Sequence, residues 1–208
     1  MHKQTRIQGI AAPLLIDNLD TDQIMPKQFL RIINKEGLSA GVLYDLRFTP
    51  DGQSKRDFVL NQSAFKDSKF LIGGSNFGCG SSREHAVWGL QQLGIEAVIA
   101  PSFGEIFFGN ALNNRLLLIV LPQDQIALLL AGIAAGDRQL TIDMEKMTVD
   151  NGAQSLPFSL AERHKKMIVE GLDMVGATMQ MLPAIAAFEK KHDAAFPWAK
   201  VRPTTSPQ

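Results

Sequence analysis

The densest chemistry in the chain lies in Gly73-Gly-Ser-Asn-Phe-Gly-Cys-Gly-Ser-Ser-Arg-Glu-His85. Its glycines allow positive φ angles and let a ligand come close to the backbone. An apolar-periodic segment follows, so the loop opens onto a helix whose first turn offers unpaired N–H groups and the positive end of its dipole. A strand, a glycine loop and a helix start make an anion site on physical grounds. The glycine spacing, however, matches neither the dinucleotide fingerprint nor the phosphate loop that ends in Gly-Lys-Ser/Thr. Ser81 and Glu84 admit two readings: Ser-x-x-Glu before an apolar run is a capping box, and a serine at such a helix start is also placed for catalysis. Arg83 reads either as a solvated surface charge or as a guanidinium held against the dipole by a bound carboxylate or phosphate. Cys79 reads as a small packed residue rather than a nucleophile, and His85 as an orienting or core histidine rather than a metal ligand.

Bulk properties narrow the classes of function. Cys79 is the only cysteine, which excludes an internal disulfide. It also excludes an iron–sulfur or structural zinc site built by this chain alone, since those need several thiolate or imidazole ligands. His2, His85, His164 and His192 are far apart, with no metal-ligand spacing, so any metal must come from elsewhere. Lys+Arg and Asp+Glu both number 21 and cancel, which gives no support to a nucleic-acid or anionic-membrane surface. Met1–Gly9 is polar and carries His2, Lys3 and Arg6, unlike a leader segment. The apolar run Leu116–Leu121 is six residues, far short of the roughly 20 that cross a bilayer. A cytoplasmic protein is expected.

The elements that must hold the loop are most legible between Phe70 and Leu121. Phe70-Leu-Ile before Gly73, Ile95–Ala100 before Pro101 and Leu116–Leu121 before Pro122 are short apolar runs, each a strand candidate. Ala86, Val87, Leu90 and Leu93 recur on one helical face with Gly94 placed to end it, and Ile106, Phe107, Ala111 and Leu112 give a second helix. Ile126, Leu129, Leu130 and Ile133 give a third. Continuous apolar strands alternating with helices predict a parallel sheet covered on both faces. The first 65 residues carry strand candidates at Ile7–Ile16 and Asp57–Asn61, and two more lie at Gln139–Asp143 and Lys146–Asp150. Three helical stretches follow, the first introduced by Ser159 and Glu162, again a capping-box spacing. The expectation is one α/β domain over residues 1–200, with a mixed sheet and a helical C-terminal extension over about 159–195. The Pro- and Thr-containing tail Val201–Gln208 is expected to be disordered.

Asn76-Phe-Gly-Cys-Gly-Ser-Ser-Arg-Glu-His85 matches, residue for residue, the motif of 3-isopropylmalate dehydratase small subunits, in the aconitase superfamily. A second match is Asp17-Asn-Leu-Asp-Thr-Asp-Gln-Ile24 followed by Pro26. Further similar blocks are Asp57–Asn61, Ile99–Phe103, Ile106–Asn110 and Gly171–Asp173, so the resemblance covers roughly residues 5–195. It implies a swivelling β/β/α domain and a hydro-lyase active only with a large subunit. That partner would carry a [4Fe-4S] cluster acting as Lewis acid on the leaving hydroxyl. It implies further that Ser81 is the base that moves the substrate's carbon-bound proton. Arg83 would share the site with Asp22, an aspartate supporting it at the subunit junction. Ser82, Arg83 and Gly80 are implied to bind the substrate's carboxylate. Met25–Asn34 lies where relatives set side-group specificity, and Phe29 and Leu30, with Ile32 and Ile33, read equally as apolar contact for an isopropyl group or as buried helix residues. Arg31 is a further carboxylate candidate. The activity implied is the interconversion of 2- and 3-isopropylmalate in leucine biosynthesis, with citraconate, dimethylmaleate or homoaconitate hydratases as siblings. A non-catalytic anion-binding module is the reading from another class.

Overall fold

The computed structural model describes residues 5–30, 37–81 and 83–199. One seven-stranded sheet runs in the order β4-β3-β2-β1-β5-β6-β7. Its strands are β1 (Arg6–Leu14), β2 (Ser68–Gly73), β3 (Ala97–Ala100), β4 (Leu117–Val120), β5 (Gln139–Asp143), β6 (Thr148–Asp150) and β7 (Ser155–Pro157). β1 to β4 pair in parallel, while β1–β5, β5–β6 and β6–β7 are antiparallel. The burial patterns follow from that division. All four residues of β3, and Phe70 to Gly73 of β2, are buried, as expected of parallel strands covered on both faces. β5, β6 and β7 alternate, burying Leu140, Ile142, Val149 and Leu156 and turning their neighbours outward.

Helices occupy the connections. α3 (Glu84–Gln92) joins β2 to β3, α4 (Glu105–Asn113) joins β3 to β4, and α5 (Gln123–Ala134) joins β4 to β5. Each buries a stripe at helical spacing: Ala86, Val87 and Leu90; Phe107, Ala111 and Leu112; Ile126, Leu129 and Ile133. Gly94, one residue beyond the α3 C-cap, sits at φ +99, the left-handed stop its position predicts. The described residues of the long β1–β2 crossover include two one-turn helices, α1 (Thr21–Ile24) and α2 (Tyr44–Arg47). α6 (Glu162–Glu170), α7 (Met174–Met179) and α8 (Leu182–Ala195) complete the chain; α6 buries Met167 and Ile168, whereas α7 and α8 bury no side chain.

Several expectations are corrected. Asp57–Asn61 is not a strand: Val59–Asn61 forms a 3-10 turn. The Asn61 amide there donates to the carbonyls of Arg47 at 2.7 Å and Lys55 at 3.0 Å, closing the crossover locally. Lys146–Asp150 shortens to Thr148–Asp150, and β7 is a strand the pattern did not announce. The Ser159–Glu162 capping box does not form, because α6 starts from Ala161 without a side-chain cap. Phe158 is buried and Leu160 packs on the core, so apolar anchoring sets where this helix begins. The tail Val201–Gln208 and Arg31, Ile32 and Ile33 lie outside the described residues.

Candidate active site

The two motifs sit after the C-terminal ends of β1 and β2, neighbouring parallel strands whose following loops share one edge of the sheet. They are tied along their length. Asn18 N–H donates to Ser75 O at 2.8 Å, Gly78 N–H to Leu19 O at 2.7 Å, and Thr21 N–H to Cys79 O at 2.9 Å. The loop after β3 braces the other side, with Phe77 N–H donating to Ser102 O and Gly104 N–H to Phe77 O.

Each aspartate of the upstream motif has a separate task. Asp17 Oδ1 accepts from Ser75 N–H at 2.7 Å, and the same atom approaches within 2.6 Å of where a Cβ on Gly74 would lie. Asp20 caps α1, accepting from Gln23 N–H at 2.8 Å while Gln23 Oε1 accepts from Asp20 N–H at 3.1 Å. Asp22 reaches across to the helix end of the second motif, where its carboxylate pairs with the Arg83 guanidinium. Lys27 Nζ, a cation that neither motif's pattern singles out, lies 3.8 Å from the other Asp22 oxygen.

The capping reading of Ser81 is overturned. α3 begins at Glu84 with Arg83 as an uncapped N-cap in extended conformation, two residues past Ser81. Glu84 Oε1 instead accepts from Asn114 Nδ2 at 2.9 Å, and Asn114 Oδ1 accepts from Trp88 Nε1, joining α3 to the end of α4. Arg83 likewise stands before the first helical turn rather than in it. Ser81 is gripped by Thr21, which is 1% exposed. Thr21 Oγ1 accepts from Ser81 N–H at 3.2 Å, is 3.1 Å from Ser81 O and is 3.0 Å from Ser81 Oγ.

Gly80, at φ +94, carries the chain past Asp20 and Thr21 and is exposed, as is Ser81. Cys79 Sγ donates to Asn18 O at 3.2 Å, and the His85 ring lies 4.9 Å from that of Trp88, tilted by 50° to it. Phe29 is committed to packing: its ring lies 5.2 Å from that of Tyr44, and its nearest atom would stand 2.5 Å from a Cβ on Gly41. Leu30 is half-buried against the core. Ser82 lies outside the described residues. Among those described, no cluster of three or more His, Cys, Asp or Glu side chains is placed to hold a metal ion.

A mixed sheet presenting two tied loops at the ends of neighbouring parallel strands is the architecture of the aconitase C-terminal domain, whose family model matches residues 1–124. A second family model, for the C-terminal domain of 3-isopropylmalate dehydratase small subunits, matches residues 174–200. A "3-isopropylmalate dehydratase small subunit 1" of Chromobacterium violaceum is 55% identical over 197 residues, 94% of this chain and 93% of that one. The corresponding small subunit of Roseobacter denitrificans is 44% identical over 95% of this chain and all of its own. A crystal structure of 3-isopropylmalate dehydratase from Methanocaldococcus jannaschii superposes with a TM-score of 0.65 at 26% identity, covering 88% of this chain and 98% of that one. The chain belongs to the family of 3-isopropylmalate dehydratase small subunits.

Proposed function

We propose that this chain is the base-carrying half of a 3-isopropylmalate dehydratase, interconverting 2- and 3-isopropylmalate by dehydration and rehydration in leucine biosynthesis. The observation that carries the reading is the Asp22–Arg83 and Thr21–Ser81 constellation, set on an open edge. Removing a carbon-bound proton beside a carboxylate needs a strong base and positive charge in a site closed to water. The Ser81 alkoxide takes that proton and the C–H electron pair forms the double bond as hydroxide departs; rehydration adds hydroxide to the carbon that lost the proton, and Ser81 returns its proton to the carbon that lost the hydroxide. Arg83, paired with Asp22, would then bind the substrate's carboxylate, the role the family resemblance also implies for Ser82 and Gly80.

Ser81 is exposed, so a second wall must close the site. We assign that wall to the large subunit, together with the iron–sulfur cluster that aconitase family membership implies, taken as [4Fe-4S]. One cysteine does not fit a cluster site in this chain. The partner assignment is supported by the apolar side chains that α7, α8 and the turn after them leave outside, Val175, Phe188 and Trp198 being 69%, 66% and 84% exposed. No helix among the described residues is long and apolar enough to cross a membrane. The setting proposed is the cytoplasm, and the folded chain to residue 200 is proposed as a single domain.

Within the site, Phe29 and Leu30 are proposed to act from behind the surface that meets the isopropyl group. Anaerobic reconstitution with the large subunit should turn over isopropylmalate with a higher kcat/KM than citramalate or homocitrate. A preference for either of the other two would move the assignment to a sibling hydro-lyase.

A further inference from the structure

We infer that Thr21 is a positioning residue whose hydroxyl works as a rotor, donating its single proton to the Ser81 alkoxide and releasing that oxygen once it is protonated. The inference rests on the reading of Ser81 as base and adds to it a device for making that base available. Serine oxygen is a poor base unless its anion is met by fixed donors.

Thr21 Oγ1 has one proton and two lone pairs, and its three hydrogen-bond contacts among the described residues, all with Ser81, allow two complete arrangements. In the first, Thr21 donates to Ser81 Oγ at 3.0 Å and accepts from Ser81 N–H at 3.2 Å, leaving the serine oxygen as a supported acceptor. In the second, Ser81 Oγ–H donates to Thr21 Oγ1 while Thr21 turns its proton 3.1 Å to the Ser81 carbonyl. Every donor is satisfied in both, so the switch costs one hydroxyl rotation. The first arrangement suits the alkoxide before it takes the substrate's proton, and the second suits the alcohol afterwards. Because isomerisation gives the proton back to carbon, the rotor returns to its start with no net proton gained or lost.

The surroundings hold the rotor in place. Thr21 is fixed in the Asp20-capped turn of α1, its N–H is bonded to Cys79 O, and it is nearly inaccessible to solvent. Burial of a polar side chain whose hydroxyl is spent wholly on one exposed serine is hard to explain by loop stability alone.

The test uses the complex assembled anaerobically with the large subunit. Thr21→Val keeps the shape and removes the hydroxyl; kcat should fall about 10²-fold or more, with KM within about threefold. The isotope effect for substrate deuterated at the abstracted position should rise as proton transfer becomes limiting. Thr21→Ser restores the rotor and should bring kcat back to within several-fold of the parent. In the isolated chain, the Ser81 amide should exchange faster with solvent in Thr21→Val and at the parental rate in Thr21→Ser. Should Thr21→Val fail to assemble, Thr21→Ala set against Thr21→Ser gives the same comparison. Full turnover by the hydroxyl-less variant, or equal loss in the Val and Ser variants, overturns the rotor. Ser81→Ala run alongside separates the two failures: if it is inactive while Thr21→Val is unimpaired, the rotor alone is wrong, and if it is fully active, the base assignment falls too.

Discussion

On the proposed reading, Arg83 is a side chain prepared before any substrate arrives. Its guanidinium is about 25% exposed and is aimed by Asp22, itself 41% exposed, with Lys27 behind. A pair this open contributes at most about 1 kcal/mol to stability, so its value lies in orientation. Arginine offers a planar two-pronged donor that matches a carboxylate, whereas lysine offers a point charge. Arg83→Lys should therefore lower kcat/KM of the assembled enzyme roughly ten- to a hundred-fold while leaving the melting temperature of the isolated chain within a few degrees. Steady-state kinetics beside thermal melts check this; unchanged kcat/KM in both Arg83→Lys and Arg83→Ala would place the residue outside the substrate's reach. At this scale the sequence was informative about which residues matter and less so about what they do. Ser81 and Glu84 have capping-box spacing yet make no cap, because Thr21 takes up Ser81 and Asn114 takes Glu84. Thr21 sat inside a motif already singled out, but only a contact 60 residues away reveals its work.

Among the elements, the start of α4 is the part on which the site leans hardest. Gly104 is its N-cap, and a Cβ there would meet Gly78 O at 2.6 Å and Cys79 Cα at 2.9 Å. Both neighbours are backbone atoms of the loop that carries Ser81, so the loop must move. Gly104→Ala should cost about 1–3 kcal/mol of stability and, by displacing Ser81, lower kcat on the order of 10²-fold. Gly109, inside the same helix with nothing within 4 Å of its Cβ position, is the control: Gly109→Ala should be neutral or stabilising by up to about 1 kcal/mol. Thermal melts with turnover of both variants decide it, and equal behaviour would contradict the bracing role of α4. The parallel half of the sheet was readable because β2, β3 and β4 are unbroken apolar runs closed by Gly or Pro. Three-residue β7 has no period to read, and the run at Asp57–Asn61 is too short for periodicity to separate strand from helical turn.

Across the whole molecule, the labour is divided between two chains. This one brings a gripped serine, a carboxylate-aimed arginine and an open edge, and it has no second cysteine with which to hold a cluster. The isolated chain should therefore be colourless, iron-free and without turnover, as absorption spectra and an assay of the purified protein would establish. The docking face proposed for the partner was legible only in outline, since an apolar face such as that of Phe188 and Trp198 becomes a surface feature only once the fold leaves it uncovered. On the proposed reading the base comes from this side of the interface, and the turnover of the anaerobically assembled complex carrying Ser81→Ala decides whether it does. Because Ser81 caps no helix, assembly and the iron signal should persist while kcat falls by roughly 10²–10⁴-fold. A complex that assembles, keeps its iron and turns over within a few-fold of the parent would contradict the account.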